Sequence, residues 1–258
     1  MLDYLRAECY KMLHRSYLWM ALLITGGLEL VLVLLWAWIN CELPNNMTVS
    51  AGFSMVLYLL SLGYYATAIT SDIAFSDQYK YNTLKNEVAY GIPRARIYLG
   101  KLFAGVLLSI GACALLLGWY ALLCALMLPG DGAVLEALKV LGFALLCAFP
   151  VWVGAQALYL LCFFSIRGNT AATIVSVCII ALFGQMLTFL SLLVSMPAPG
   201  LADALLAIKG LLLTSPLESI TDAIGDWSRV AWAWAVGAGW CVGTTALGLW
   251  CFHRREIS

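Results

Sequence analysis

The chain has 258 residues, of which 63% are hydrophobic and only 11% are charged. A soluble domain carries about 25% charged residues, so this composition excludes a protein that covers its own surface in water. The formal net charge is zero, which excludes the overall basic field that nucleic-acid-binding proteins use.

The chain opens with an amphipathic segment, residues 1–16, that is predicted to form a helix at the membrane surface. Leu5, Cys9 and Met12 recur at helical spacing, whereas Arg6 and Lys11 fall on other faces. A short helix of this kind lies along the bilayer surface rather than across it.

Six apolar segments follow, each as long as the roughly 20 helical residues that the hydrocarbon layer requires. They predict an all-α integral membrane protein in which residues 1–258 form one transmembrane domain. The predicted spans are Tyr17–Ile39, Ser50–Thr70, Leu102–Leu128, Val140–Ile166, Thr170–Met196 and Val230–Phe252.

The basic residues set the orientation, because cytoplasmic segments of membrane proteins carry an excess of lysine and arginine. With both chain ends inside, only Lys139, Lys209 and Arg229 fall on the outer side. We therefore expect cytoplasmic termini and a cytoplasmic loop between the second and third spans.

Glu29 lies near the middle of the first span. An ionised carboxylate at this depth costs at least about 2.5 kcal/mol, so we expect Glu29 to be protonated, paired or in contact with water. Two interpretations stay open: a structural hydrogen bond between helices, or a place on a substrate path.

The loop of residues 72–101 is too long to be a simple turn and is predicted to contain a short helix. Asn82 or Thr83 can cap its start, and Leu84 and Val88 are one turn apart. Gly91 can take the left-handed position that ends a helix. The segment is either a solvated linker or a helix that docks on a cytosolic partner.

A new helix is predicted to begin at Pro93 and to continue into the third span. Its first turns carry Arg94, Arg96 and Lys101, which we expect at the level of the lipid headgroups.

A second long segment, residues 197–229, precedes the last span and is predicted to form a helical hairpin on the outer side. Its first helical pattern covers Leu201–Leu213, and the second opens with Ser215, Pro216 and Glu218, which together form a capping box. This hairpin is either re-entrant or at the membrane surface, and either a structural plug or a gate.

The stretch NTLKNEVAYGIPRARIYLGKL, residues 82–102, resembles the inner-loop signature of ABC type-2 permeases, the membrane subunits of ATP-driven exporters. Members typically show the pattern tlk…l..G.sR..i.lgK between spans two and three. The residues that carry the resemblance are Thr83, Leu84, Lys85, Gly91, Arg94, Gly100 and Lys101, with Pro93 in place of the usual serine.

The resemblance implies six spans, an N-terminal surface helix, a cytoplasmic coupling helix and an outer helical insertion. It further implies two copies of this permease and two copies of a separate ATPase subunit, which would bind the ATP and Mg²⁺. The implied contacts to the ATPase are Asn82, Thr83, Leu84, Lys85, Val88, Gly91 and Arg94.

In that family the translocation path runs between the second and fifth spans of two protomers. The resemblance therefore assigns Tyr58, Tyr65, Gln185 and Thr188 to the path, beside Glu29 from the first span. It likewise favours a gate at Ser215, Pro216 and Glu218.

The chain is not expected to hydrolyse ATP itself, because it lacks the motif G-x-x-x-x-G-K-[ST]. We expect no metal or cofactor in this chain, since none of its nine cysteines forms a C-x-x-C pair. An intramembrane enzyme is disfavoured, because G-x-S-x-G and H-E-x-x-H are absent from the spans.

The resulting hypothesis is an ATP-driven exporter in a bacterial plasma membrane that works by alternating access. The compact chain looks most like the branch that handles amphipathic peptides, including lantibiotic self-protection and phenol-soluble-modulin exporters, although hydrophobic compounds also suit an apolar path. The alternative is an ion-coupled secondary transporter or channel that works alone through Glu29.

Overall fold

The computed structural model describes residues 2–42, 47–75, 83–166, 168–218, 220 and 224–254. These residues form eleven α-helices and one 3₁₀ turn, with no strand among them. In chain order the helices are α1 (Leu2–Leu13), α2 (Ser16–Glu42), α3 (Val49–Leu59), α4 (Gly63–Phe75), α5 (Thr83–Ala89), α6 (Arg94–Met127), α7 (Val134–Ser165), α8 (Asn169–Ser195), α9 (Pro199–Gly210), α10 (Ser215–Glu218) and α11 (Trp227–Arg254).

Six helical stretches have the length and apolarity of membrane spans, which confirms the predicted fold class. Five of them are the single helices α2, α6, α7, α8 and α11. The second span combines α3 and α4, which are joined by the 3₁₀ turn Leu60–Leu62.

Helix α7 is at the centre of the bundle and packs against α3, α4, α8 and α11. It runs unbroken through Pro150, and α11 crosses it closely there. A Cβ added to Gly237 would lie 2.3 Å from the Pro150 carbonyl oxygen, so only glycine fits at this crossing. Small residues let helix backbones approach closely in membrane bundles.

The N-terminal helix α1 packs on the bundle with one face. Met12 is fully buried in a small cluster with Leu18, Ile73 and Ala104, while Leu2 and Leu13 stay exposed. The apolar stripe predicted for a surface helix is therefore only partly free to meet lipid, because the bundle covers its centre.

Candidate functional site: helix α5 and a cavity between the second and fifth spans

The short helix α5 presents one face to the protein and one to the exterior. Leu84 is buried in the main core and Val88 packs beside it, whereas Lys85 and Asn86 are exposed. Tyr90, which follows the helix, is 86% exposed. The predicted Asn82 lies outside the described residues.

The end of α5 follows the predicted pattern. Gly91 has φ +80°, in the left-handed region that favours glycine, which confirms that prediction. Its N–H donates to the carbonyl of Val88 at 3.0 Å, and the N–H of Ile92 donates to that of Glu87 at 3.2 Å. These bonds use carbonyls that the helix end leaves free.

Lys101 is the point where α1, α5 and α6 meet. Its side chain is 0% exposed, with Nζ 3.1 Å from Glu8 Oε1 and 3.6 Å from Glu87 Oε1. Lys11 reaches the other oxygen of Glu8 at 3.2 Å. The side chain of Lys101 is therefore not free to bind lipid headgroups, because two carboxylates hold its ammonium group inside the protein. Its position at the level of the headgroups stays a prediction.

Tyr4 adds a second link between α1 and α5. Its hydroxyl donates to Glu87 Oε2 at 3.0 Å. Its ring lies against Gly100, where an added Cβ would be 2.5 Å from Tyr4 Cε1. Gly100 and Lys101, the last two residues of the inner-loop signature, thus both serve the packing of α1.

The pKa of the Glu8 carboxyl reflects this arrangement. Burial alone would raise it, but Lys101 and Lys11 together lower it below its ordinary value of 4.5. The carboxylate is therefore ionised at neutral pH and joins Lys101 as a charged partner.

Arg94 binds the end of the last span. Its Nη1 donates to the carbonyls of Phe252 and His253, each at 2.7 Å, and the guanidinium lies over the Phe252 ring at 5.6 Å from its centroid. An arginine at the C-terminus of a helix satisfies free carbonyls and the negative end of the helix dipole. Arg94 therefore links the start of α6 to the end of α11.

A cavity of about 360 Å³ lies between the second and fifth spans and the outer insertion. Tyr58, Tyr65 and Gln185, three residues predicted on the path, line it together with Glu218 from the predicted gate. We call this cavity the chamber. Its other lining residues are Leu57, Ser61, Tyr64, Ile180, Ala181, Gly184, Thr214, Leu217 and Ile220.

Described residues of the outer insertion line one side of the chamber, and two side chains from other helices and one internal ion pair hold the insertion. The hydroxyl of Tyr64 donates to the Leu213 carbonyl, and the indole N–H of Trp240 donates to the Leu211 carbonyl, each at 2.8 Å. Lys209 Nζ lies 2.8 Å from Glu218 Oε2. Glu218, predicted to close a capping box, thus bridges α10 to α9.

The remaining predicted gate residues form the first turn of α10. Ser215 is its first residue, with its N–H donating to the Leu212 carbonyl at 3.1 Å, and Pro216 follows. Neither residue lines the chamber, so Glu218 is the one predicted gate residue that contacts it.

The 3₁₀ turn in the second span lies beside the chamber and is stabilised by Trp152. The indole N–H of Trp152 donates to the Leu60 carbonyl at 3.2 Å. The same ring lies against Gly63, where an added Cβ would be 2.3 Å from Trp152 Nε1. A 3₁₀ stretch in mid-helix often marks a hinge.

Glu29 and Thr188 lie away from the chamber wall. Glu29 faces the α2–α6 interface near Tyr120, and its Oε2 is buried without a hydrogen-bond partner. Thr188 donates to the Gly184 carbonyl of its own helix at 3.1 Å. The structure therefore gathers three of the five predicted path residues into one cavity.

The sequence profile of the ABC-2 family transporter proteins matches residues 4–188. The chain belongs to the ABC-2 transporter family. No individual curated protein matches the sequence. The match covers helices α1 to α7 and most of α8, and it ends before the outer insertion and the last span.

An ABC-2 permease is the membrane subunit of a transporter whose ATPase is a separate subunit. The permease described here is accordingly a multi-pass membrane protein with a partner ABC ATPase. The family resemblance of the inner-loop signature is confirmed at this level.

Sequence reasoning missed several side chains of this permease: Tyr4, Glu8, Tyr64 and Trp152. One signal could have pointed to Glu8, since this carboxylate stands between Leu5 and Met12 on the apolar face of α1. A charge on the buried face of an amphipathic helix needs a partner of opposite charge.

Proposed function

We propose that this permease forms the membrane path of an ATP-driven exporter for amphipathic peptides or hydrophobic compounds, with ATP and Mg²⁺ bound by the separate ATPase. The observation that carries this proposal is the chamber between the second and fifth spans. The second span, which lines the chamber, leads into the segment that carries α5. Movement of α5 by the ATPase would therefore reach the chamber wall through α4.

The exposed face of α5 is the proposed ATPase contact. Lys85, Asn86 and Tyr90 point away from the permease, whereas Leu84 and Val88 hold the helix on the core. A two-turn helix is not stable by itself in water, and these buried contacts supply the stability that its length does not. Glu87, through Lys101 and Tyr4, fixes its position relative to α1 and α6.

A second copy of the permease is proposed to complete the chamber wall. Tyr58 is 69% exposed, and Gln185 is also exposed although both line the chamber. Two copies that meet along α3 and α8 would place these polar side chains between protomers, away from lipid. In this arrangement the outer insertion acts as the gate, since its residues Thr214, Leu217 and Glu218 line the chamber.

The ATPase contact is tested with a double variant of the exposed face, Lys85→Glu with Tyr90→Ala. We expect at least about tenfold less ATPase subunit to co-purify with the permease, while the melting temperature of the permease is unchanged. Tyr10→Ala is the matched control, because Tyr10 is an exposed tyrosine on α1 outside this face. A complex that forms equally well with the double variant would contradict the proposal.

The position of Glu29 favours a structural role over a path role. A stand-alone ion-coupled transporter would need this carboxylate in contact with cargo or water, and it lies at the α2–α6 interface instead. We expect Glu29→Gln to leave export and cargo-stimulated ATP hydrolysis unchanged. Two results together would support the ion-coupled alternative. Export would continue when the ATPase is catalytically inactive, and it would stop in Glu29→Gln.

A further inference from the structure

We propose that the chamber binds cargo through a positively charged group and that Glu218 is the residue that recognises it. This inference rests on the proposed function, since it takes the chamber as the cargo site. The class of cargo is then a lipid-soluble or amphipathic cation.

The described part of the chamber wall has a single type of charge, and it is negative. Glu218 is the only charged side chain among the described residues that line it. Tyr58 and Tyr65, both exposed, line the same chamber from the second span, and the face of an aromatic ring attracts a cation. Ser61, Gln185 and Thr214 add polar groups, and most of the remaining wall is apolar, as an amphipathic ligand requires.

Lys209 shows what Glu218 can bind. Its ammonium group lies 2.8 Å from Glu218 Oε2, although Lys209 itself stands on α9 and does not line the chamber. The side chain of Glu218 is 43% exposed, and an ion pair with this exposure is weak enough to exchange. The ammonium of Lys209 therefore occupies the place that we assign to the cationic group of the cargo.

The wall of the chamber explains why such an exchange is favourable. A carboxylate beside a largely apolar cavity loses hydration when a ligand covers it, and this is costly without a partner of opposite charge. Lys209 supplies that partner when the chamber is empty, and a cationic cargo supplies it when the chamber is loaded. Glu218 thus keeps a partner throughout, and a neutral or anionic ligand would gain nothing from this carboxylate.

The test uses two ions of the same shape and opposite charge, tetraphenylphosphonium and tetraphenylborate, and the complex of permease and ATPase in nanodiscs. Binding is measured by equilibrium dialysis, with empty nanodiscs subtracted. We expect Glu218→Gln to weaken tetraphenylphosphonium binding about tenfold and Glu218→Asp to retain it. We expect Lys209→Met to strengthen it several-fold, because the competing ammonium is removed.

Asp203→Asn is the matched control, because it removes an exposed carboxylate from the same insertion outside the chamber. It should leave the binding of both ions unchanged. Tetraphenylborate binding should not fall in any of these variants. If both ions bind equally well and Glu218→Gln changes neither affinity, charge recognition by Glu218 is overturned. The proposal that the chamber is the cargo site would still stand. If neither ion binds above empty nanodiscs, recognition of a lipid-soluble cation by the chamber is excluded, whereas the proposed export function is judged separately by the ATPase-contact test.

Discussion

The ammonium group of Lys101 lies 3.1 Å from a carboxylate oxygen of Glu8, which is 93 positions away in the chain. This contact joins the N-terminal helix to the first turns of the third span. Glu87 shares the same ammonium group, so α5 is held at the same point. The N-terminal helix therefore supports α5.

Replacement of Lys101 should destabilise this junction strongly. Lys101→Met leaves the Glu8 and Glu87 carboxylates without their common partner, and loss of one member of a buried ion pair costs about 3–5 kcal/mol. The free energy of unfolding in micelles measures this loss. Glu8→Gln, added to Lys101→Met, should recover part of it, because one uncompensated charge is removed.

Lys139→Met is the control for Lys101→Met, since Lys139 forms an ion pair with Glu136 in which both side chains are largely exposed. We expect little change in the free energy of unfolding of Lys139→Met, because exposed ion pairs contribute little to stability. Equal stability of Lys101→Met and wild type would show that the buried network does not hold the three helices together.

The contribution of Glu8 to the stability of the fold should decrease as the pH falls. Its pKa is lowered below 4.5 in the folded protein, so its ionised form stabilises the fold above that pH. The stabilisation is lost as the pH falls from 4.5 through the lower pKa of the folded state. The melting-temperature difference between wild type and Glu8→Gln should therefore be largest at neutral pH and shrink below pH 4.5. A difference that grows on acidification would contradict the assignment.

The bond from Tyr64 to the Leu213 carbonyl should keep the outer insertion over the chamber. Tyr64→Phe removes this hydrogen bond, worth about 1 kcal/mol, and should speed thiol labelling of a Leu57→Cys reporter, at a buried position that lines the chamber, about fivefold. Tyr120→Phe is the matched control, because Tyr120 donates to the Gly52 carbonyl at the same 2.8 Å but does not line the chamber. Equal labelling rates in the two variants would exclude Tyr64 as a latch.

Gly63 should tolerate no side chain while Trp152 is present. A Cβ at Gly63 would meet the indole ring at 2.3 Å, so Gly63→Ala should lower stability by about 1–3 kcal/mol through overpacking. The smaller ring of Trp152→Phe should relieve part of that loss in the double variant. Gly27→Ala, where nothing lies within 4 Å of the added Cβ, should be neutral or stabilising.

The elements of this permease could be predicted from the sequence because their signals are local. Span length is read from a run of apolar residues, and the left-handed Gly91 from its position before Ile92 and Pro93. Leu84 and Val88 are predicted as contacts to the ATPase, whereas the structure packs Leu84 in the core of the permease with Val88 beside it. The sequence did not predict the partners of Lys101, because Glu8 lies 93 positions away in the chain.

By itself, the sequence determined the all-helical membrane class, the six spans and the inner-loop signature of the family. Only the tertiary structure decided that Glu8 and Glu87 share Lys101, and that Tyr58, Tyr65, Gln185 and Glu218 meet in one chamber while Glu29 does not. The physical reason is that a spanning helix is apolar on its lipid face and its buried face alike, so periodicity does not show which side faces inward. Rotation and pairing of such helices depend on close packing between residues far apart in the chain.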